Sequence, residues 1–200
     1  MLKNMMNEIK KTVIAIFALT VLLCGIYPLL VWGVGKIAFP DKAEGSFIQQ
    51  YGNVIGSELI GQQFTSPRYF HPRPSAAGQG YDTTASGGSN LGPLSKTLID
   101  LVNKRITDYR SENDLPLSTP VPIDAVTASA SGLDPHISIE NASLQAKRIA
   151  KTRGMNLQTI YDIIKKCTEN RQLGIFGEKH VNVLLMNLTM DAFGDQGAFL

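Results

Sequence analysis

The sequence predicts a single N-terminal transmembrane helix followed by one exported α+β domain with about three helices, a few short strands and a long Gly/Pro-rich loop. Three observations lead to this prediction: an uncharged run of 24 residues near the N-terminus, an excess of Lys before it, and a mixed-polarity segment after it. The predicted organisation is a cytoplasmic tail over residues 1–11, the membrane helix over 12–35, a tether over 36–56 and the exported domain over 57–200.

The uncharged run Thr12–Gly35 is long enough to cross a bilayer once. At ~1.5 Å rise per residue it forms a helix of roughly 36 Å, slightly longer than the ~30 Å hydrocarbon core. A cleaved signal peptide is the alternative, but its apolar centre covers only ~7 to 15 residues and ends at a small-x-small site. Residues 36–39 form no such site, so we predict an uncleaved anchor that Pro28 kinks rather than breaks.

The charges around this run predict its orientation. Three of the 19 Lys and Arg residues precede it, against one of the 17 Asp and Glu residues, so 16 of each follow it. The positive flank should stay in the cytoplasm, which places the following domain in the periplasm or outside the cell. A formally neutral domain has no field that attracts nucleic acid or anionic lipid, so both partners are disfavoured and membrane lipid is expected only around the helix.

The first elements of the domain are a predicted strand and a long loop. Ser57–Phe64 has the composition of a strand, although Gly61 weakens it. Thr65–Pro93 is rich in Pro, Gly, Ser and Asn and shows no periodicity. A loop of this length in a compact domain is usually a functional loop or a partner surface, and its aromatic residues argue against disorder.

Three amphipathic helices are predicted after this loop. The first begins near Gly92-Pro93 and carries its apolar face to Tyr109. The second has Ser138 as its N-cap and ends at Gly154, and the third begins at Asn156.

The remaining segments connect or follow these helices. Residues 113–122 contain three prolines and form a connector, and residues 125–131 are small and polar, which is typical of a short strand or a lining. Val181–Met190 is apolar and is predicted to begin as a strand and end as a helix.

The residues that bear chemistry form no convincing catalytic or metal set. His71, His136 and His180 lie more than 40 residues apart and no paired Cys or His-x-x-x-His occurs, so no metal site is predicted. Ser131–His136 brings a hydroxyl, a carboxylate and an imidazole together, but catalytic triads assemble in space, so we interpret this segment as a capped turn. A membrane-anchored exported enzyme acting through a His or a Ser is kept as an alternative.

A glycine-rich segment and a basic helix face are candidates for anion binding. Ser86–Pro93 runs into a helix, where free amides can hold an anion, but it matches neither common phosphate-loop pattern. A tight turn with a cap is therefore preferred. Lys147, Arg148 and Lys151 are interpreted most simply as a solvated face.

Five segments occur in order along the chain: Gly56–Phe64, Tyr69–Ala76, Ser86–Pro93, Val126–Ser138 and Val181–Leu188. They closely resemble the KdpC family, the C subunits of Kdp-type potassium-transporting ATPases. The resemblance covers nearly the whole chain, including the single membrane helix with Tyr27-Pro28-Leu29. One departure is Ile139, where the family often starts its helix with proline.

The resemblance implies a non-catalytic subunit of a high-affinity, ATP-driven potassium uptake pump in the cell membrane. It implies two partners, a channel-like potassium-translocating subunit and a P-type ATPase subunit that hydrolyses ATP, and no intrinsic cofactor. The C subunit would assist assembly and act as a catalytic chaperone that raises the ATP affinity of the hydrolysing subunit.

The resemblance also implies binding residues. The contact loop would run from Tyr69 to Gly92, and Gln145 and Arg148 would lie on a helix linked to nucleotide. ATP is cytoplasmic whereas the charges export this domain, so we expect an indirect effect on ATP affinity, and a direct nucleotide-binding module is the alternative. Asp82 and Asp134 either bias cations near the potassium path or cap turns. The predicted binding residues are Tyr69, His71, Gly87, Gly88, Asn90, Gln145 and Arg148.

Overall fold

The computed structural model describes residues 2–197. The chain divides near Phe47 into an N-terminal unit and a larger C-terminal unit. The N-terminal unit is dominated by one apolar helix, and the C-terminal unit is an α+β domain of helices with short strands, as predicted.

Helix α1 (Leu2–Ala38) is long and apolar enough, by length and composition, to cross a membrane. It includes the predicted segment 12–35 and begins well before it. None of its described residues is buried by the chain itself. An apolar helix without a covering protein surface needs lipid or another helix around it.

Pro28 does not interrupt α1, as predicted. Proline lacks an N–H group and its ring crowds the carbonyl four residues earlier. The helix adapts through a π-helical turn, Val21–Ile26, after which the Tyr27 N–H bonds the Leu22 carbonyl. The α-helical pattern then continues from Tyr27 to Ala38.

A short helix and a hairpin follow α1. Helix α2 (Pro40–Ala43) precedes strands β1 (Phe47–Gln50) and β2 (Asn53–Ser57), which form a two-stranded sheet. Tyr51 and Gly52 connect the strands at φ values of 51° and 81°. Two consecutive residues with positive φ are typical of the tight turns that match strand twist.

The predicted strand Ser57–Phe64 is wrong, because β2 ends where that strand was expected to start. The Ser57 hydroxyl accepts a hydrogen bond from the Leu59 N–H at 3.2 Å, which turns the chain. The Gly61 N–H then bonds the Leu133 carbonyl at 2.8 Å. A Cβ at Gly61 would come within 2.7 Å of the Asp134 carbonyl oxygen, so this segment crosses a neighbouring loop closely instead of pairing along it.

Five helices lie in the C-terminal domain, within residues 48–197. The first predicted helix begins at a Ser95 cap rather than near Gly92-Pro93, which leaves Leu94 outside it and 94% exposed. Residues 125–131 contain no strand, because their first two residues end a short helix. The helices are α3 (Lys96–Glu112), α4 (Ile123–Val126), α5 (Ile139–Arg153), α6 (Leu157–Lys166) and α7 (Val183–Gly197).

The predicted caps of α5 and α6 are confirmed. The Ser138 hydroxyl accepts a hydrogen bond from the Asn141 N–H at 3.0 Å, and the Asn156 side chain accepts one from the Gln158 N–H at 2.8 Å. Gly154 ends α5 at φ 67°, in the left-handed region that glycine adopts without strain.

A three-stranded antiparallel sheet lies beside these helices. Its strands are β3 (His136–Ser138), β4 (Thr168–Glu169) and β5 (His180–Asn182), in the order β3-β5-β4. β5 leads directly into α7, so the predicted change from strand to helix after Val181 is confirmed.

The core of the domain lies between α5, α6, α7 and the inner face of this sheet. The loop 65–93 has no helix or strand, as predicted, but it is packed: Phe70 and Ala77 are fully buried. Phe70 inserts into the core from the loop. The core residues are Phe70, Ile137, Ala142, Ala146, Ile149, Ala150, Ile160, Ile163, Ile164, Val181, Val183, Met186 and Met190.

Candidate functional site

Five polar side chains on α5 and α7 hold the loop segment 67–71 by hydrogen bonds. We call this group the polar clamp. Because the segment has no strand neighbour, its backbone N–H and C=O groups need side-chain partners once they are buried. The clamp consists of Gln145, Arg148 and Arg153 of α5 with Asn187 and Asp191 of α7.

Two side-chain amides of the clamp bind consecutive backbone units. The Asn187 carbonyl accepts from the Phe70 N–H at 2.8 Å, and its amide donates to the Phe70 carbonyl at 3.0 Å. Gln145 makes the same pair of bonds with His71, at 2.7 and 3.1 Å. Each amide therefore replaces the strand neighbour that the segment lacks.

Arg148 connects the clamp to the loop and to α3. Its guanidinium donates to the carbonyls of Pro67 and Tyr69 at 2.5 and 3.1 Å, and to the side chains of Gln145 and Asn113 at 2.9 and 3.0 Å. Burial lowers the pKa of Arg148. The expectation that Arg148 lies on a solvated face is wrong, since only 8% of it is exposed, whereas Lys147 is exposed as expected.

The Tyr69 side chain lies at the edge of the clamp. Its hydroxyl donates to Asp191 at 2.9 Å, and the Arg153 guanidinium lies 4.9 Å from the ring centroid while donating to Asp191 at 2.8 Å. Burial, with the hydrogen bond to Asp191, raises the pKa of Tyr69. The predicted binding residues Tyr69, His71, Gln145 and Arg148 are thus brought together, as partners of one another.

His71 reaches from the clamp towards α3. Its Nδ1 lies 2.7 Å from a Glu112 carboxylate oxygen, and its Nε2 lies 2.9 Å from the Ser66 carbonyl. Both partners are acceptors, so both contacts are hydrogen bonds only when the ring carries two protons. The hydrogen bond from His71 is the main reason that the pKa of Glu112 is lowered.

A groove of about 350 Å³ opens beside His71. Its wall combines cationic, acidic, aromatic and amide side chains, with Asp108 and Glu112 beside the two arginines, a composition that suits a planar polar ligand. Arg105 on this wall donates to the Val126 carbonyl at 3.0 Å, and burial lowers its pKa. The lining residues that matter for ligand chemistry are His71, Arg73, Tyr81, Arg105, Tyr109 and Gln145.

The glycine-rich segment contacts a different part of the domain. The Gly87 N–H bonds the Ser131 carbonyl at 2.9 Å, and a Cβ on Gly88 would lie 3.2 Å from the Ala130 carbonyl oxygen. Asn90 is exposed, with φ at 53°. Gly87 and Gly88 are therefore positioned by close packing on residues 130–131, and the hydrogen bonds of the clamp include neither of them.

The interpretation of Ser131–His136 as a capped turn is confirmed. The Ser131 hydroxyl accepts from the Leu133 N–H at 3.1 Å, and Asp134 accepts from the His136 N–H at 3.0 Å. Asp134 also pairs with Arg73 at 2.8 Å. Burial alone would raise the pKa of Asp134, but hydrogen bonds from His136 and Arg73 lower it to about 2. Asp82 likewise caps a turn through Thr84.

Sequence spacing failed to predict one cluster. His136 and His180 were expected to lie apart, yet their ring centroids are 4.4 Å apart. Strand pairing, not proximity along the chain, brings them together. The available signal was the alternation in His136-Ile137-Ser138 and His180-Val181-Asn182, which places one histidine and one apolar residue on opposite faces of each strand.

Comparison with known proteins gives one consistent result. A family model described as "KdpC: K⁺-transporting ATPase, c chain" matches residues 9–192. Similar proteins include the potassium-transporting ATPase KdpC subunit of Mycobacterium tuberculosis, 49% identical over 94% of this chain and 99% of the relative. The KdpC subunit of Nitratidesulfovibrio vulgaris is 48% identical over 94% of this chain and 95% of the relative. The KdpC subunit of Rhodospirillum rubrum is 49% identical over 94% of this chain and 96% of the relative.

Proposed function

This chain belongs to the KdpC family, the c chains of K⁺-transporting ATPases, and on that basis we propose that it is a non-catalytic subunit of an ATP-driven potassium uptake complex. Its partners are a channel-like potassium-translocating subunit and a P-type subunit that hydrolyses ATP. Its role is to assist their assembly and, as a catalytic chaperone, to raise the ATP affinity of the hydrolysing subunit.

Family membership carries the proposed subunit role, and the polar clamp is the structural observation that supports its non-catalytic part. The side chains of Gln145 and Arg148 are almost fully buried, and their hydrogen bonds go to the chain's own loop and to neighbouring side chains. Groups used in this way shape a surface rather than a reaction centre. The clamp therefore supports a domain that presents a rigid loop to a partner.

The charges support an indirect effect on ATP affinity. Lys3, Lys10 and Lys11 precede the span, whereas after it Lys36 pairs with Glu44 at 2.5 Å. This bias favours a domain outside the membrane and a cytoplasmic N-terminus. Since ATP is cytoplasmic, the domain changes ATP affinity through a coupling free energy that α1 and the partner helices carry across the membrane.

Cysteine labelling of intact cells tests the orientation. We expect a membrane-impermeant thiol reagent to label Lys96→Cys, an exposed position on α3, and to leave the matched tail variant Asn4→Cys unlabelled. The reverse pattern overturns the orientation and with it the indirect mechanism. A Cys24→Ala, Cys167→Ala background removes the two native thiols.

Kinetics of the assembled complex test the role. We expect a complex without this chain to assemble poorly and to show a KM for ATP raised by roughly 5- to 150-fold, the range of typical coupling energies. Adding the purified chain back should restore the lower KM. An unchanged KM and normal potassium uptake in cells that lack the chain would contradict the proposal.

Direct nucleotide binding is the second candidate, and the groove beside His71 is the observation that favours it. Its volume is at the lower end of the range for small-molecule sites, and its wall carries Arg73 and Arg105, which suit phosphate, together with Asp108 and Glu112, which repel it. Saturable ATP binding by the full chain in detergent, weakened by Gln145→Ala but not by Lys147→Ala, supports this candidate. Circular dichroism of both variants separates lost binding from lost folding.

A further inference from the structure

The outer face of the three-stranded sheet carries three side chains that can ligate a metal. We call them the outer-face cluster: His136 of β3, Glu169 of β4 and His180 of β5. One ligand atom from each lies within 4.8 Å of the others, and Nε2 of His180 is 3.6 Å from Oε2 of Glu169. The cluster belongs neither to the polar clamp nor to the groove beside His71.

Strand register explains why the three side chains meet. Glu169 and His180 are direct partners in the β4–β5 pair. His136 faces Asn182 in the β3–β5 pair, so it is the diagonal neighbour of His180 on the same face. The residue that follows each histidine in its strand faces the core instead: Ile137 is 2% exposed and Val181 is fully buried. Core packing on one face thus fixes the cluster on the other.

Both imidazoles are already oriented by acceptors at Nδ1. Nδ1 of His180 lies 2.7 Å from the Glu178 carbonyl, and Nδ1 of His136 lies 3.3 Å from Oδ1 of Asp134. A hydrogen bond from Nδ1–H leaves the lone pair on Nε2, the tautomer that binds metal. Contacts of this kind to the second nitrogen are usual for metal-binding histidines, and one of the two here is the carboxylate of Asp134.

We propose that the outer-face cluster binds one divalent transition-metal ion, preferentially Zn²⁺, through His136, His180 and Glu169, with water as the fourth ligand. Two imidazoles and one carboxylate are a ligand set that zinc uses when one position stays open. At metal–ligand distances of ~2.0–2.1 Å, tetrahedral ligand atoms lie roughly 3.4 Å apart. Glu169 and His180 nearly satisfy this spacing at 3.6 Å.

The three ligand atoms must still move closer together to bind one ion, and their surroundings permit this movement. The Glu169 side chain is 54% exposed, so a change of its rotamer can bring its carboxylate towards both imidazoles while their Nδ1 contacts stay in place. Two cations, Arg73 and Lys179, line the pocket that contains His136 and His180. Arg73 is paired with Asp134 at 2.8 Å, which limits its repulsion of a metal ion. A bound ion would tie β3, β4 and β5 together and so stabilise the domain.

Cobalt absorption and zinc competition test the site on the full chain in detergent, without a polyhistidine tag. We expect one Co²⁺ per chain with the visible bands of a tetrahedral site, displacement of Co²⁺ by one equivalent of Zn²⁺, and a rise in the unfolding midpoint with Zn²⁺. His136→Gln, His180→Gln and Glu169→Gln should each weaken binding at least tenfold.

Glu178→Gln is the matched control. It removes a carboxylate beside the cluster but keeps the backbone carbonyl that orients His180, so its metal affinity should equal that of the unchanged chain. No saturable binding, unchanged binding after His136→Gln with His180→Gln, or an equal loss in Glu178→Gln would overturn the proposal. If circular dichroism shows that a His variant is misfolded, the exposed Glu169→Gln variant decides.

Discussion

The polar clamp and the outer-face cluster are both polar groups on the C-terminal domain, but their chemistry is opposite. In the clamp, Gln145 and Arg148 are buried and bound to the chain's own backbone. In the cluster, His136 and His180 use Nδ1 for internal contacts and keep Nε2 for another ligand. The residues that resemblance linked to nucleotide thus shape the fold, whereas residues set aside on sequence spacing are the ones available to a ligand.

The difference shows that burial and partner geometry decide what a polar side chain can do. A side chain whose donors and acceptors are all matched internally is costly to remove, because its former partners stay buried without hydrogen bonds. An ion pair whose side chains are largely exposed contributes little to stability, since water replaces each partner. Stability measurements therefore separate the two groups directly.

The largest effect is expected for Arg148→Ala. The substitution leaves the carbonyls of Pro67 and Tyr69 and the side chains of Gln145 and Asn113 without their shared donor. We expect the free energy of unfolding to fall by about 3 kcal/mol or more, a drop of roughly 6–12 °C in Tm. Urea or thermal unfolding of the full chain in detergent measures it.

Lys147→Ala is the control for Arg148→Ala, since it removes a neighbouring cation of the same helix from an exposed position. Its effect should stay within about 0.5 kcal/mol. Equal losses in the two variants would mean that Arg148 is a surface charge and would remove the contrast between clamp and cluster.

A smaller loss is expected for Gln145→Ala. The variant leaves the backbone N–H and C=O of His71 unpaired, so the free energy of unfolding should fall by about 2–3 kcal/mol. Gln158→Ala, at an exposed position of α6, should change it by less than about 0.5 kcal/mol. Chemical denaturation followed by circular dichroism compares them, because the single tryptophan, Trp32, lies in α1 and does not report on this domain. A neutral Gln145→Ala would show that segment 67–71 does not need the clamp.

Asp134 lies beside the outer-face cluster, and its lowered pKa predicts that the stability of the fold depends on pH. Its pKa is about 2 in the folded chain against an ordinary value of 3.8, so its ionisation stabilises the fold by roughly 2 kcal/mol above pH 4. Because the folded pKa is the lower one, this stabilisation is lost as the pH falls from about 4 to about 2. Asp134→Asn should lower stability at neutral pH and flatten this part of the pH profile.

The pH profile of Asp134→Asn is measured with a chelator present, so that bound metal does not contribute. Asp100→Asn serves as the control, since its partner Lys96 is 88% exposed and the pair should add little. An acid profile in Asp134→Asn that equals that of the unchanged chain would show that Asp134 is not held by Arg73 and His136.

The smallest effect is expected for Arg171→Ala. Arg171 binds both carboxylate oxygens of Glu178 at 2.9 and 3.0 Å, but the two side chains are 44% and 84% exposed. We expect a loss below about 1 kcal/mol that shrinks further in high salt. Thermal unfolding at two salt concentrations checks this, and a loss as large as that of Gln145→Ala would contradict the distinction drawn from burial.

Local signals predicted much of the fold. Ser138, Gly154 and Asn156 mark helix ends because capping depends on a few neighbouring backbone groups. The uncharged run predicted α1 because bilayer thickness sets a minimum length of apolar helix. The strand predicted over Ser57–Phe64 failed because a serine turn and a close crossing at Gly61 outweighed strand composition.

The sequence by itself determined the apolar helix, the charge bias around it, the helix ends at Ser138, Gly154 and Asn156, and the family. These features depend on composition and short-range order, which can be read along the chain. Tertiary structure alone decided that Arg148 is buried against loop carbonyls and that His136 meets His180 across paired strands. Such contacts join residues more than 40 positions apart, and their geometry follows from strand register and core packing, which no local pattern encodes.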